Sequence, residues 1–279
     1  MKKITTGFTS ILAIASLIIA SPVFAATVIS PSSHGSWDFQ TNSVDGIGQF
    51  VTGPSAPPLG SGSVELSTGT NGSTFSAIYT TGYDGQFITD LANVSASYAT
   101  YVPTGASMAS YPKLIVDVNI NTTTTTLEDE LTFDPRNGQL QTPTAGVWQT
   151  WDARSGNWNS SLCGINGTLE QYMANCVGRI SNAVSVSVRT RADLTGGVRL
   201  EVGRSASSDT LITGYVDAVT LGLNGTSTTY DFENDTVVLT TPTNKDECKK
   251  GGWQNYNNPV FKNQGSCVSF VEANENAGK

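Results

Sequence analysis

The densest run of acidic residues lies in the segment TLEDELTFDPRNG and offers chemistry that needs paired carboxylates. Residues two apart on a β-strand point to one face, with Cα atoms about 7 Å apart. Glu128 and Glu130, with Asp134 beyond them, could therefore supply the acid and the nucleophile or base of a polysaccharide hydrolase, or act in a lyase. Thr132 interrupts the acidic alternation, and acids are common on exposed strands. The pattern favours the solvated face of an edge strand, with a hydrolase or lyase as the weaker alternative.

The histidine and cysteine content argues against the other common catalytic centres. His34 is the only histidine. It lies in a Ser/Gly-rich segment without a glycine-flanked nucleophile, so a serine triad is not indicated. The four cysteines lack the Cys-x2-Cys spacing of a zinc site. No catalytic residue is predicted, and the sequence is interpreted as that of a non-enzyme.

Tryptophans make a better case for ligand binding than the carboxylates do. The segment GVWQTWDARSGNWNSS carries Trp148, Trp151 and Trp158, with Asp152 and Arg154 among them. Strand geometry sends Trp148 and Trp151 to opposite faces, so one of them should lie near solvent. An exposed indole beside hydrogen-bonding groups suits a sugar, which offers apolar C–H faces to stack and hydroxyls to bond. These five residues are the predicted ligand site, and burial of two tryptophans in the core is the equal alternative.

Alternating apolar and polar residues run through most of the chain and predict β-strands. The clearest cases are KLIVDVNIN, AVSVSVRTR and GVRLEVG, and turn-forming residues separate the runs. About eleven strands are expected. Antiparallel strands with one apolar face pair into two packed layers, so the predicted fold is an all-β, two-sheet sandwich. One short helix is expected in GTLEQYMANC, where Thr168 and Gln171 match a capping box.

The N-terminus predicts export. Residues 1–25 join two lysines, an apolar run and a small-residue cleavage region, as in a secretory signal peptide. The apolar run is short for a membrane span, so no membrane insertion is expected and the mature protein should be secreted or kept in a periplasm. In such an oxidising compartment the cysteines should form two disulfides, Cys163 with Cys176 and Cys248 with Cys267. Each would stabilise the fold by roughly 3 kcal/mol.

Charge limits the partners of the mature chain and marks a boundary within it. The full chain has 15 basic residues and 23 acids, and the loss of Lys2 and Lys3 with the leader gives the mature chain a net charge of −10. Such a field is unfavourable for nucleic acid. Basic residues are mostly arginine in the first part of the mature chain and lysine at its end. We predict a β-sandwich domain over 26–234, a linker over 235–245 and a small disulfide-closed module over 246–279.

Three short segments carry a resemblance to a known family type. VWQTWDA, GYVDAVTLG and TTYDFEND resemble strands of secreted bacterial jelly-roll domains related to carbohydrate-binding modules. The resemblance covers most of residues 27–234 and implies a jelly-roll-like sandwich whose partner is a glycan or a cell-envelope component. Such modules often hold a structural calcium ion near their termini. Here that role would fall to Asp38, Asp217, Asp231 and Glu233, although solvated surface acids explain these residues equally well, and no other cofactor is expected.

The C-terminal segment resembles a short two-cysteine module of exported bacterial proteins whose function is not known. The matching residues are Cys248, Gly251-Gly252-Trp253, Phe261, Asn263-Gln264-Gly265 and Cys267-Val268. This resemblance indicates kinship and implies no activity. Taken together, the sequence predicts a noncatalytic glycan-binding or cell-surface recognition protein. The alternative is a structural or adhesive envelope protein without a glycan ligand, because a sandwich fold alone does not decide function.

Overall fold

Strands make up most of the regular structure. The computed structural model describes residues 26–42, 44–69, 74–137, 141–191, 196–203, 211–235, 242–256 and 261–277. The strands in these ranges are β1 (Thr27–Ile29), β2 (Trp37–Thr41), β3 (Ile47–Thr52), β4 (Gly62–Ser67), β5 (Phe75–Thr80), β6 (Ser95–Tyr101), β7 (Lys113–Thr122), β8 (Thr126–Phe133), β9 (Trp148–Asp152), β10 (Trp158–Ser160), β11 (Asn166–Gly167), β12 (Ala183–Val188), β13 (Val198–Gly203), β14 (Thr213–Leu223) and β15 (Thr226–Phe232). The predicted signal peptide at 1–25 and most of the predicted linker lie outside the described residues.

The strands form two sheets. The first sheet has the order β1-β15-β14-β4-β3, with β6 beside β14 and β9 beside β6. The second sheet has the order β11-β10-β8-β7-β13-β5-β2, with β12 beside β7. Neighbouring strands are antiparallel, except for the parallel pair of β1 and β15. The predicted all-β sandwich is confirmed.

The core lies between the two sheets and is built from the apolar members of the alternating runs. Leu114, Val118 and Ile120 of β7 are fully buried in it. Aromatic rings from opposite sheets also meet there edge to face, such as Tyr98 of β6 and Phe133 of β8 with centroids 6.1 Å apart. Burial of side chains on one face of each strand is what turns the alternation into two packed layers.

The acidic strand is not the edge strand that its sequence predicts. In the second sheet β8 pairs with β7 on one side and with β10 on the other. The carboxylate of Asp129 points inward and is buried, where it accepts hydrogen bonds from Ser160 Oγ at 2.7 Å, Ser161 Oγ at 2.8 Å and Leu162 N at 2.8 Å. The reason for the error is that β10, only three residues long, is too short to show a periodic pattern.

Helix α1 (Leu169–Asn175) confirms the predicted capping box. Thr168 accepts a hydrogen bond from the Gln171 backbone, and the Gln171 side chain accepts one from the Thr168 backbone. The predicted disulfide between Cys163 and Cys176 closes the loop that carries this helix. Cap and disulfide together stabilise a helix too short to persist alone in water.

The C-terminal segment contains a second helix that the sequence patterns did not predict. Helix α2 (Gln264–Ala277) starts inside the loop closed by the disulfide between Cys248 and Cys267. Both cysteines pack with Phe261 and Val271 in a small cluster separate from the sandwich core. Across the described residues, no helix has the length and apolar character needed to cross a membrane.

We expect Asp129 to be essential for the stability of the β8–β10 region. Replacing it with Ala leaves three donors without their acceptor, which should lower the free energy of unfolding by about 3 kcal/mol. Glu128→Ala is the matched control, since Glu128 lies on the same strand with an exposed side chain, and it should cost less than about 1 kcal/mol. Urea unfolding measures both values. Equal stability of the two variants would contradict the assigned role of Asp129.

Candidate functional site

Two of the three predicted ligand-binding tryptophans lie in the core. Trp151 is 2% exposed and its Nε1 donates to Thr100 Oγ1 at 2.8 Å, while Trp158 is 3% exposed and its Nε1 donates to the Ala153 carbonyl at 2.9 Å. Neither ring offers a face to a ligand. The structure thus shows the alternative of two tryptophans buried in the core and not an exposed platform at these two residues, because Trp158 belongs to a paired strand rather than to a polar loop. Trp148 is half-buried and its ring lies on the opposite face of β9.

The predicted polar partners of these tryptophans serve the loop after β9. Asp152 is exposed and its Oδ1 accepts a hydrogen bond from Ser155 N. Arg154 donates from Nε to the Leu91 carbonyl and forms an ion pair with Glu170 of α1 at 2.6 Å. Four residues along a strand span about 13 Å, so these groups lie away from Trp148. Their participation in ligand binding stays a prediction.

A row of side chains crosses the outer face of the first sheet, one from each of five adjacent strands. Pairing aligns Gln49 of β3 with Glu65 of β4, and Glu65 with Tyr215 of β14. The row continues from Tyr215 to Tyr101 of β6 and from Tyr101 to Trp148 of β9. All five side chains are at least partly exposed. These five residues are termed the aromatic row.

The geometry of the aromatic row combines ring faces with hydrogen-bonding groups. The ring centroids of Trp148 and Tyr101 are 5.7 Å apart with planes at 49°, and those of Tyr101 and Tyr215 are 6.1 Å apart with planes at 73°. At the other end Gln49 Nε2 donates to Glu65 Oε2 at 2.9 Å. Burial, with smaller contributions from the Glu65 carboxylate and Tyr101, raises the pKa of Tyr215, so its hydroxyl keeps its proton at neutral pH. The row thus presents three rings, two tyrosine hydroxyls that can donate and accept, an amide and a carboxylate.

The loop over residues 53–61 borders the row and fixes the orientation of Trp148. The Trp148 Nε1 donates to the Pro54 carbonyl at 2.9 Å. The loop is held in turn by carboxylates, since Leu59 N donates to Asp217 and Ser61 N donates to Glu233. An indole held by its N–H has a fixed ring plane, which lowers the entropy cost of stacking a ligand against it.

Asp217 of β14 is fully buried beneath this loop. Its carboxylate accepts hydrogen bonds from Leu59 N at 3.0 Å and Phe232 N at 3.1 Å. Burial raises the pKa of Asp217 to about 6, although the backbone donors oppose the shift. The loop beside Trp148 is therefore anchored by a group that titrates in mildly acidic solution.

Asp217 should make the protein less stable as the pH rises from about 4 to about 6. The folded protein holds the proton up to a pH near 6, whereas the unfolded chain releases it near the ordinary value of 3.8, so unfolding becomes more favourable over that interval. The contribution is on the order of 3 kcal/mol. The variant Asp217→Asn has an amide that cannot ionise at this position, so it should lack this pH-dependent contribution to stability. Urea unfolding at several pH values gives the difference in free energy of unfolding between wild-type protein and the variant. If that difference stays constant from pH 4 to pH 7, the pKa shift assigned to Asp217 is contradicted.

The four acids predicted to hold calcium do not form one site. Asp38 lies on β2 in the second sheet and accepts a hydrogen bond from Tyr79, whereas Asp217, Asp231 and Glu233 lie on or beside β14 and β15 in the first sheet. Burial, followed by the Glu233 carboxylate, raises the pKa of Asp231. Among the residues described, no three His, Cys, Asp or Glu side chains are grouped so as to hold a metal ion. The predicted set therefore does not fit a single calcium site, and calcium binding stays a prediction.

The outer face of the second sheet carries Glu128 and Glu130, two of the acids considered for catalysis, and each of them pairs with an arginine. Glu128 pairs with Arg189 at 2.5 Å, and Glu130 pairs with Arg199 at 2.6 Å. Arg199 also binds the buried Asp117, whose pKa is raised to about 6 by burial, with Arg199 opposing the shift. A glycosidase acid must stay protonated and near its partner carboxylate, whereas these acids are neutralised by fixed cations.

Sequence reasoning found Trp148 but missed the other four members of the aromatic row. Tyr101, Tyr215 and Glu65 each occupy an outward position in a recognisable alternating run, namely VSASYATYV, YVDAVTL and SVELS. The alternation alone shows that such residues face out. It does not show which strands are neighbours, and the row exists only through that pairing.

Comparison with known proteins shows similarity only to solved structures, at low sequence identity and low TM-score. No family model and no curated protein matches the chain. Among solved structures, it is similar to a family 11 carbohydrate-binding module of a Clostridium thermocellum cellulosomal cellulase (TM-score 0.33, 11% identity, covering 67% of this chain and 86% of that one). It is also similar to a carbohydrate-binding module of the β-sandwich superfamily (TM-score 0.27, 12% identity, covering 66% of this chain and 56% of that one) and to a β-1,2-glucanase from Parabacteroides distasonis (TM-score 0.32, 17% identity, covering 68% of this chain and 23% of that one). The chain thus spans about half the length of the β-sandwich superfamily module and under a quarter of the length of the glucanase. Because all three TM-scores are low, the function of this chain is inferred from its own surfaces.

Proposed function

We propose that this protein binds a glycan on the aromatic row without cleaving it. The observation that carries the proposal is the alignment of Trp148, Tyr101 and Tyr215 on three adjacent strands, with Glu65 and Gln49 continuing the line. Sugar rings need apolar surfaces for their C–H faces and acceptors or donors for their hydroxyls. The aromatic row offers both within one line of side chains.

The orientation of the rings favours one glycan chain in solution over a flat crystalline surface. Neighbouring ring planes differ by 49° and 73°, so they cannot all lie against one plane. A flexible chain can turn successive sugar rings to match them. Trp148 acts by stacking alone, since its only donor is bonded to Pro54. The Tyr215 hydroxyl, the Glu65 carboxylate and the Gln49 amide supply the polar contacts.

The distribution of carboxylates supports the proposal of a noncatalytic role. The aromatic row contains a single carboxylate, that of Glu65, whereas glycosidases use a pair. Glu128 and Glu130 lie on the other sheet and pair with arginines. The leader at 1–25 and two disulfides support export to the cell exterior or a periplasm, where a glycan ligand would be met.

The test is a glycan array followed by titration of the best ligand. Wild-type protein should bind with a change in tryptophan fluorescence, and Trp148→Ala and Tyr101→Ala should each weaken binding by about five- to thirtyfold, as loss of a stacking ring costs roughly 1–2 kcal/mol. Phe87→Ala is the matched control, because Phe87 is 51% exposed and outside the row.

A flat array with unchanged fluorescence would contradict glycan binding and leave a structural envelope role as the better interpretation. Binding that survives both ring substitutions would instead show that the ligand uses another surface. Circular dichroism of each variant checks that the fold is retained, so loss of binding can be assigned to loss of the ring.

A further inference from the structure

The aromatic row carries a carboxylate, that of Glu65, with which none of the described residues forms an ion pair. Glu65 is half-buried between Tyr215 and Gln49, and Gln49 Nε2 is its hydrogen-bond donor. None of the five row residues is basic. Among the ion pairs that the described residues form, none includes Glu65. This contrasts with Glu128 and Glu130, which both have an arginine partner.

A second carboxylate without an ion pair among the described residues lies where the row ends at the sheet edge. Gln49 also lines an open groove of about 360 Å³ between β2 and β3, together with Asp38 and His34. Asp38 accepts hydrogen bonds from Phe39 N and the Tyr79 hydroxyl, and it too has no ion-pair partner in the described part of the chain. The Nδ1 of His34 is engaged with the Trp37 carbonyl at 2.7 Å, which requires a proton on Nδ1. Among the described residues, those that line the path from Tyr215 into the groove include two carboxylates and no Lys or Arg, and the nearby Arg191 stacks on the ring of Tyr79 instead of pairing with Asp38.

We propose that the aromatic row selects a glycan bearing free amino groups, with Glu65 as the specificity-determining residue. This inference rests on the proposed glycan-binding function and names the ligand class of the same site. An oligomer of amino sugars stacks on the rings as a neutral one does, and one of its ammonium groups gains an ion pair with Glu65 while another, further along the oligomer, can reach Asp38 in the groove. A uronic acid or a sulfated sugar meets the same carboxylates with repulsion, in a protein whose mature charge is already negative.

The expected preference is moderate because the carboxylates are partly exposed. An exposed ion pair changes a dissociation constant by about two- to fivefold. The effect should shrink as salt rises, since the Debye length falls from about 10 Å at 0.1 M to about 3 Å at 1 M. Stacking on the rings should respond little to salt. Salt dependence therefore separates recognition by charge from recognition by shape.

The test compares an oligomer of β-linked glucosamine with the same oligomer fully N-acetylated, by calorimetry at 0.05 M and 1 M salt. The wild-type protein should bind the free-amine oligomer about two- to fivefold more tightly at low salt and equally at high salt. In Glu65→Gln the ratio of the two affinities should fall to about one at both salt concentrations, whatever the absolute affinity of this variant. Glu128→Gln, which removes the same charge from the other sheet, should leave the preference intact.

Equal affinities of wild-type protein for the two oligomers at low salt would overturn the amino-sugar inference and leave glycan binding standing. Equal loss of preference in Glu65→Gln and Glu128→Gln would also overturn it, since net charge rather than position would then be responsible. Failure of both oligomers to bind, with a positive result for another glycan on the array, would overturn this inference alone. Failure of every glycan would overturn the proposed function as well.

Discussion

The register of β14 is the constraint on which the first sheet depends. One edge of this strand pairs with β6, while the other pairs first with β4 and then with β15. The change of partner coincides with a register shift between Asp217 and Thr220, where Ala218 has a φ of 51°. Such bulges accommodate a bend at the cost of an unpaired residue. Tyr215 precedes the shift, so β4 and β6 flank it on both sides. A slip of one residue would turn Tyr215 into the core and divide the aromatic row.

The two outer faces of the sandwich differ in whether their carboxylates are paired with arginine. On the second sheet Arg199 is buried among Asp117, Glu130 and Glu201, so its charge is satisfied within the fold. Removing one partner of such a buried pair is strongly destabilising, although the pair itself contributes little net stability. On the first sheet Glu65 accepts a hydrogen bond from the Gln49 amide, and none of the described residues forms an ion pair with it. The carboxylates around Arg199 are thus paired within the fold, whereas the Glu65 carboxylate is partly exposed beside the rings of the aromatic row.

Much of the fold could be predicted from local patterns, because local physical chemistry determines it. The alternating pattern predicted most of the strands. The spacing of Thr168 and Gln171 predicted the cap of α1, and the even number of cysteines predicted both disulfides. Helix α2 was missed because its large apolar residues are confined to the short stretch from Cys267 to Val271, and a disulfide ties this stretch to Cys248 outside the helix. The apparent edge position of β8 was wrong because its partner β10 is too short to be recognised.

The candidate site was harder to predict because it depends on contacts far apart in the sequence. Trp148 was identified, but Trp151 and Trp158 were placed with it on sequence proximity, whereas the sheet places Tyr101 and Tyr215 beside it. The most direct test of the central claim uses the indole N–H resonances of the five tryptophans during titration with a bound glycan. Glycan binding on the aromatic row should shift the Trp148 resonance while those of the buried Trp151 and Trp158 stay in place. A saturating titration that leaves Trp148 unmoved would contradict it.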